Sequence, residues 1–337
     1  MFGSERIKIK GKIALSPMAG VSDSPTRQIT RKMGSAFSFT EFVSTDGIKK
    51  GIQKTIDLFK FQEMERPIHF QIFGNKKNII TDACKIIEEL NPDVIDLNMG
   101  CSVSKVAHKG SGAGLLRDPI YAGEIIYSMS KNVKIPITAK IRIGWDHKSL
   151  NYKEVVHILQ ESGISMLSVH GRTKMMGYSG RADWNIIGEI KSFAKVPVWG
   201  NGDITTFREA NQKILETGVD GVLVGRGAIG NPWIFSGVDK ENLDFHIIRE
   251  KIVEHLQLMQ NFYGEESGLI LFRKHFVRYL HGVRGILPLK ERLLTEINPD
   301  RFMEILMSYI PNISDENFEI YQDLDCNTYS QKEAILS

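Results

Sequence analysis

Cysteine is scarce in this chain: three among 337 residues, Cys84, Cys101 and Cys326. So few and so scattered, they form neither a disulfide framework nor a CxxC metal site, and no bound metal is expected. No apolar run reaches the length of about 18 residues that a membrane span needs. The charged start, MFGSERIKIKGK, lacks the apolar stretch of a signal peptide. These absences read as a cytoplasmic protein with no membrane partner and no evident obligate protein partner. A GxGxxG fingerprint after the first strand is also missing, which counts against a doubly wound dinucleotide-binding sheet. Low-complexity linkers are absent, and the only repetition is an alternation of strands and helices.

What remains is an ordinary globular composition, 42% apolar and 25% charged, with enough chain for a barrel and a smaller second unit. The net charge of +3 conceals an asymmetry, because residues 239–337 hold 11 basic and 17 acidic side chains against 32 and 23 before them. Within that acidic part lies a basic island, 271–292, bearing Arg273, Lys274, Arg278, Arg284, Lys290 and Arg292, with His275, Tyr279 and His281 interleaved. Read as one helix, it suits a phosphate backbone. A solvated helix face is the plainer reading of the same run.

Eight short apolar runs recur: KIALSPM, FSFTEF, PIHFQIFG, DVIDLNMG, IPITAKIR, ISMLSVHG, VPVWGNGD and DGVLVGRG. Several are continuous rather than alternating, as parallel strands buried on both faces require. Segments with helical periodicity connect them, among them KKNIITDACKIIEEL, YKEVVHILQES, DWNIIGEIKSF and TFREANQKILET, and Gly163 and Gly218 stand where helices would stop. The fold expected is a (β/α)8 TIM barrel followed by a small C-terminal helical domain. The boundaries expected are 1–240 for the barrel, 241–312 for the helices and 313–337 for an acidic tail.

A TIM barrel builds its site at the C-terminal ends of its strands. Those ends carry Pro17-Met18-Ala19-Gly20, Glu41, Gln71, Asn98 with Cys101, Lys140 and Arg142, His170 and Arg172, Asn201-Gly202-Asp203 and Gly225-Arg226-Gly227. Cys101 opens a glycine-rich loop in which Gly110, Gly112 and Gly114 allow close approach to something bulky or positive φ. Its thiol could donate a proton, attack as a thiolate, or simply be a small buried hydrophobe. Lys140, a cation on an apolar strand, needs a partner, a ligand or a shifted pKa, and a Schiff-base lysine would sit in such a place. His170 could be a core histidine and Gln71 a strand cap. WGNGDI and LVGRGA, after the last two strands, read as a glycine-lined phosphate cup with Arg226 as its fixed charge.

Taken together, LSPMAGVSDSPTRQI, TEFVST, HFQIFG, DLNMGCSVSKVAHKGSGAGLLRDP, TAKIRIGW, SVHGRTKMMGYSGRADW, WGNGDI, GVLVGRGAIGNPWIF and FRKHFVRYLHGVRG make a sequence that resembles the tRNA-dihydrouridine synthases, most closely their bacterial B-type subgroup. The resemblance implies FMN across the barrel mouth and NADPH as reductant, with tRNA as substrate. On these positions it implies Pro17, Met18 and Ala19 against the flavin ring, Gln71 hydrogen-bonded to it, and Lys140 and His170 near the ring or ribityl chain. Asn201, Gly202, Asp203, Gly225 and Arg226 would hold the phosphate. Cys101 would protonate C5 of the uracil; on physical grounds Lys140, Arg142 and Asn98 could stabilise the developing enolate charge of the substrate, and Arg273, Lys274 and Arg278 of the basic island would grip the tRNA. Two departures are visible: Ser102 where the family usually has proline, and Pro25-Thr26-Arg27 where it usually has Pro-Phe-Arg, a change expected to alter packing near the flavin. Rival readings are a flavin-dependent reductase of a small free pyrimidine, resembling dihydroorotate dehydrogenase, a non-redox Schiff-base barrel, and an RNA-binding protein with a dead barrel.

Overall fold

A computed structural model describes residues 9–311. Nine strands lie in one parallel sheet: β1 Ile13–Leu15, β2 Ser38–Phe39, β3 Val43–Ser44, β4 Ile68–Phe73, β5 Val94–Met99, β6 Ile137–Arg142, β7 Met166–His170, β8 Val198–Asn201 and β9 Gly221–Val224. β2 and β3 both pair with β4 and together occupy one position, so eight positions run in the order β1-β9-β8-β7-β6-β5-β4-β2. The ring is drawn shut where the Ala36 amide donates to the Ile13 carbonyl at 2.8 Å and the Leu15 amide donates to the Ser35 hydroxyl at 3.1 Å. This is the barrel expected, and each of the eight apolar runs contributes to it.

Helices surround the strands, the short α5 lying within the Cys101 loop: α1 Ser24–Lys32, α2 Thr45–Lys49, α3 Gln53–Asp57, α4 Lys77–Glu88, α5 Ser104–Ala107, α6 Pro119–Asn132, α7 Tyr152–Glu161, α8 Trp184–Phe193 and α9 Phe207–Thr217. Their ends follow local chemistry. In α9, Thr206 and Glu209 exchange side-chain bonds with each other's amides as a capping box, and Gly218 closes the helix at φ 68°, where a Cβ would be strained. After β9 the chain makes short 3-10 turns before four more helices: α10 Phe245–Tyr263, α11 Glu265–Leu280, α12 Leu287–Thr295 and α13 Pro299–Ser308.

These last helices bury a separate core that includes Leu256, Phe272, Phe276, Leu293 and Phe302. They dock against α1. Tyr263 donates to Asp23 at 3.1 Å, and Thr26 and His255 hydrogen-bond at 3.3 Å. Thr26, one of the two departures from the family pattern, thus contacts α10. Its neighbour Arg27 forms a fully buried ion pair with Glu65 at 2.6 Å and donates to the Ser22 carbonyl at 2.7 Å, fixing the loop after β1.

The basic island is not one helix. It spans α11 and α12 with a break between Leu280 and Leu287, where Gly282 and Gly285 take φ 80° and 64°. His275 and Tyr279, expected on an RNA-facing surface, lie in the helical core at 1% exposure each, because their positions fall on the apolar stripe with Phe272 and Phe276. The tail 313–337, Cys326 included, lies outside the described residues.

Candidate functional site: the polar end of the barrel

Alternation along each strand decides which side chains enter the barrel. Parity selects Asp96 and Asn98 from β5, Thr138, Lys140 and Arg142 from β6, and Ser168 and His170 from β7. Strand register then sets Gln71 beside Asp96 and Thr138, Asn98 beside Lys140 and Ser168, and Arg142 beside His170 and Asn201. A polar layer results, buried in the upper half of the barrel.

Its floor is a chain of side chains. Thr138 donates to Asp96 at 2.6 Å, Gln71 donates to the other Asp96 oxygen at 2.8 Å, and Asn98 donates to the Gln71 carbonyl at 2.9 Å. Asn98 in turn accepts from the Gly100 and Cys101 amides at 3.0 and 2.9 Å, so the turn that presents Cys101 is pinned from below. Burial raises the Asp96 carboxyl to about 6, with the two hydrogen bonds and Lys140 opposing the shift. Asp96 was not among the expected site residues. Its signal was its position two residues before Asn98, on the same side of the strand.

Cys101 sits half-buried at the start of its loop. Burial pushes its thiol above the ordinary value, against the pull of the Val103 amide, Arg142 and Lys140, so it is protonated at neutral pH. Gly112 is required here, since at φ 56° a Cβ would stand 3.0 Å from the Cys101 Cβ. At Gly114 a Cβ would meet the Ala107 carbonyl oxygen at 2.4 Å. The loop's glycines serve its folding upon itself.

Opposite Cys101 the site is cationic. The Lys140 amine donates to Asn201 at 2.9 Å, and Asn201 donates to the Leu223 carbonyl at 2.8 Å. Desolvation, then the charge of Arg142, lowers Lys140 to about 7, with Asp96 and Cys101 opposing. His170 is held well below its ordinary value by burial and by Arg142, Lys140, Arg172 and Arg226, and is neutral. Arg172 lies 3.2 Å from the His170 ring and 2.6 Å from Asp203, and Arg226 approaches the same carboxylate at 3.8 Å. Asp203 thus anchors two arginines, and its own negative charge would repel a phosphate. Arg226 also lies over the Tyr178 ring at 5.0 Å.

Several expected contacts are arranged differently from the sequence reading. Gln71 is wholly buried, with its amide shared between Asp96 and Asn98, so it lies beneath the accessible surface. Asn98 and Arg142, expected on the substrate, organise loops in this structure. Arg142, 2% exposed, donates to the carbonyls of Gly100, Thr173 and Gly177 at 2.8, 2.7 and 2.8 Å. Pro17, Met18 and Ala19 are half-buried along the loop after β1, which Glu41 holds by accepting from the Gly20 amide. Lys274 donates to the Gly20 carbonyl and Arg273 to the Glu296 carbonyl, the latter at 2.8 Å, and both side chains are half-buried. Arg278 is half-buried on the same helix.

The dihydrouridine synthase family model matches residues 14–309. A probable tRNA-dihydrouridine synthase of Rickettsia bellii is 35% identical over 289 residues, covering 82% of this chain and 88% of that one. tRNA-dihydrouridine synthase B of Pseudomonas aeruginosa is 36% identical, with 82% and 86% covered. Among solved structures, histamine dehydrogenase from Rhizobium sp. 4-9 matches with a TM-score of 0.52 at 13% identity, over 80% of this chain and about half of that one (49%), a likeness of fold alone. With the match running from β1 to the end of α13, and with relatives above one-third identity over most of their length, the chain belongs to the dihydrouridine synthase family of enzymes.

Proposed function

We propose that the protein reduces uridine to 5,6-dihydrouridine in tRNA, with FMN as cofactor and NAD(P)H, NADPH foremost, as reductant. The observation that carries this reading is the pairing, across one barrel mouth, of a protonated thiol on a pinned loop with a cationic wall built by Lys140, Arg172 and Arg226. The wall suits a flavin nucleotide. The Lys140 amine uses one acceptor on the chain and has two hydrogens left for ligand oxygens. At Gly225 a Cβ would meet only ordinary contacts, Met18 Sδ at 3.7 Å being the nearest, so protein packing does not demand glycine there and close ligand approach gives it a purpose.

Held at this mouth, a reduced flavin would supply the hydride for C6 of the uracil, with NADPH as its reductant. Pro17, Met18 and Ala19 would flank the ring, and Lys140 with neutral His170 would face the ring or ribityl oxygens. Asn201, Gly202, Gly225 and Arg226 receive the phosphate, with Asp203 holding Arg226 and Arg172 in place. Cys101 Sγ gives its proton to C5, and the charges of Arg142 and Lys140 stabilise the thiolate left. Asn98 and Gln71 act from below by fixing the turn, and Arg142 from the side. Such a positioned acid contributes about 10²–10⁴-fold. The target base must leave its stack to reach this depth, and the basic island around Arg273, Lys274 and Arg278 is proposed as part of the surface that holds the RNA.

An anaerobic visible spectrum tests the reading. Flavin bands should bleach with NADPH and return on adding unmodified tRNA. Cys101→Ala should keep the bands and the bleaching and lose dihydrouridine formation by about 10²–10⁴-fold. A protein that stays colourless when given FMN, or whose reduced flavin is reoxidised only by a free pyrimidine, would sink it.

A further inference from the structure

Above the mouth, the segments that follow β6 and β7 run side by side as a lip: the Ile143 amide donates to the Arg172 carbonyl at 3.4 Å, the Lys174 amide to the Gly144 carbonyl at 2.9 Å and the Met175 amide to the Trp145 carbonyl at 2.9 Å. The lip presents Trp145 with two cations on its ring, the Arg117 guanidinium at 5.0 Å and the Lys174 ammonium at 4.7 Å from the centroid. His108 lies 6.1 Å from the same indole. Arg117 and His108 come from the segment that begins with Cys101, so the lip and the acid loop pack together.

Lys174 is the unusual member. It is 7% exposed and forms no ion pair among the described residues; its amine meets the Met175 sulfur at 3.7 Å and the indole. The two neighbouring acids are engaged elsewhere: Asp118 accepts from the Tyr121 amide at 3.0 Å to cap α6, and Asp146 accepts from the Lys148 amide at 2.9 Å and the Ser149 hydroxyl at 2.8 Å. A buried ammonium without a carboxylate is costly, and an aromatic face offsets only part of that cost. The exposed Lys105 and Lys109 add like charge on the adjoining loop.

We infer that Lys174, Arg117 and Trp145 form a phosphodiester subsite that seats the RNA backbone beside the flipped uridine. The inference rests on the proposed reaction. Its position follows from Arg142, which binds the Gly100 carbonyl before Cys101 and the Thr173 carbonyl before Lys174 at 2.8 and 2.7 Å. A phosphate held at Lys174 is therefore coupled through one guanidinium to the loop that carries the acid. The coenzyme's phosphates offer the same chemistry from another source, and the experiment separates the two.

Equilibrium binding of the FMN-loaded protein to unmodified tRNA, across a salt series, is compared with the KM for NADPH in flavin reduction. Lys174→Gln should weaken tRNA binding roughly tenfold and reduce the slope of log K against log salt by about one. Lys174→Arg should restore most of both, and Arg117→Gln should reproduce the loss at a site whose exposure makes misfolding an inadequate explanation. Unchanged tRNA binding and slope in Lys174→Gln would overturn the subsite, as would a raised NADPH KM with tRNA binding intact. Binding that responds as expected in a protein unable to form dihydrouridine would leave the subsite standing and remove the proposed reaction.

Discussion

The two ends of the barrel interior are built by the same strands with the same side-chain parity, yet their chemistry is opposite. At the lower end Phe37, Phe39, Met166, Trp199 and Leu223 form a compact cluster. His69 joins it, stacked on Phe37 at 4.5 Å between ring centroids. Neither His69 nitrogen has a partner, and burial drops the ring to about 3, so it is a neutral aromatic. Two residues farther along β4 comes Gln71, and two beyond Trp199 on β8 comes Asn201, both tied into side-chain hydrogen bonds. One end contributes close packing, and the other holds charges and amides that are unfavourable to bury and serve a ligand. The comparison separates stability from chemistry along a single axis, as the fold does generally.

Breaking the lower end should give the largest effect on folding. Phe37→Ala removes a side chain that packs on Phe39, His69 and Trp199 and should lower stability by about 3–5 kcal/mol. Thermal unfolding checks this, and turnover per folded molecule should hold; a selective loss of turnover would mean the two ends are not separable.

At the upper end a smaller change should act on rate. Gly112→Ala places a Cβ 3.0 Å from the Cys101 Cβ at a positive φ, so the acid must shift. A displacement of about 1 Å costs on the order of 10²-fold in rate. Dihydrouridine formation should fall by roughly that factor, with the NADPH bleaching rate retained. Slowed bleaching would place the damage at the flavin instead.

A third effect is one of pH. Lys140 titrates near 7 in the folded protein against 10.5 as its ordinary value. Below about 7 it is charged in both states, and the cost of burying the charge is fully present. Between 7 and 10.5 the unfolded chain binds the extra proton, so this contribution to stability rises with pH and is complete above 10.5. In flavin-free protein, the stability gain of Lys140→Met over the parent should therefore shrink as pH climbs through that window. A gain independent of pH would show that Lys140 is not the buried cation the polar layer contains.

Some of this is legible in the sequence. Eight apolar runs, their helical connectors and the glycine stops at Gly163 and Gly218 fixed a barrel, because parallel strands buried on both faces and helices closed by αL glycines leave local patterns. The motifs around Cys101 and HGRT carried the family for the same reason: they are contiguous. Less visible was Asp96, an acid within an apolar run whose role depends on Thr138 and Gln71 arriving from neighbouring strands.

Residue types and their spacing determined the fold, the family and the side chains that gather at one rim. Tertiary structure alone decided what each of them touches. Arg142 reads as a substrate contact in sequence and becomes a clamp on Gly100, Thr173 and Gly177 only when three loops converge on it. His275 and Tyr279 read as RNA-facing until α11 turns them into a core. Lys274 reads as part of a basic run, and only docking of the helices brings it to Gly20. A periodicity records which face of an element is apolar, and that is local information. A long side chain's partner is set by distances between elements far apart in the chain, which no local pattern encodes.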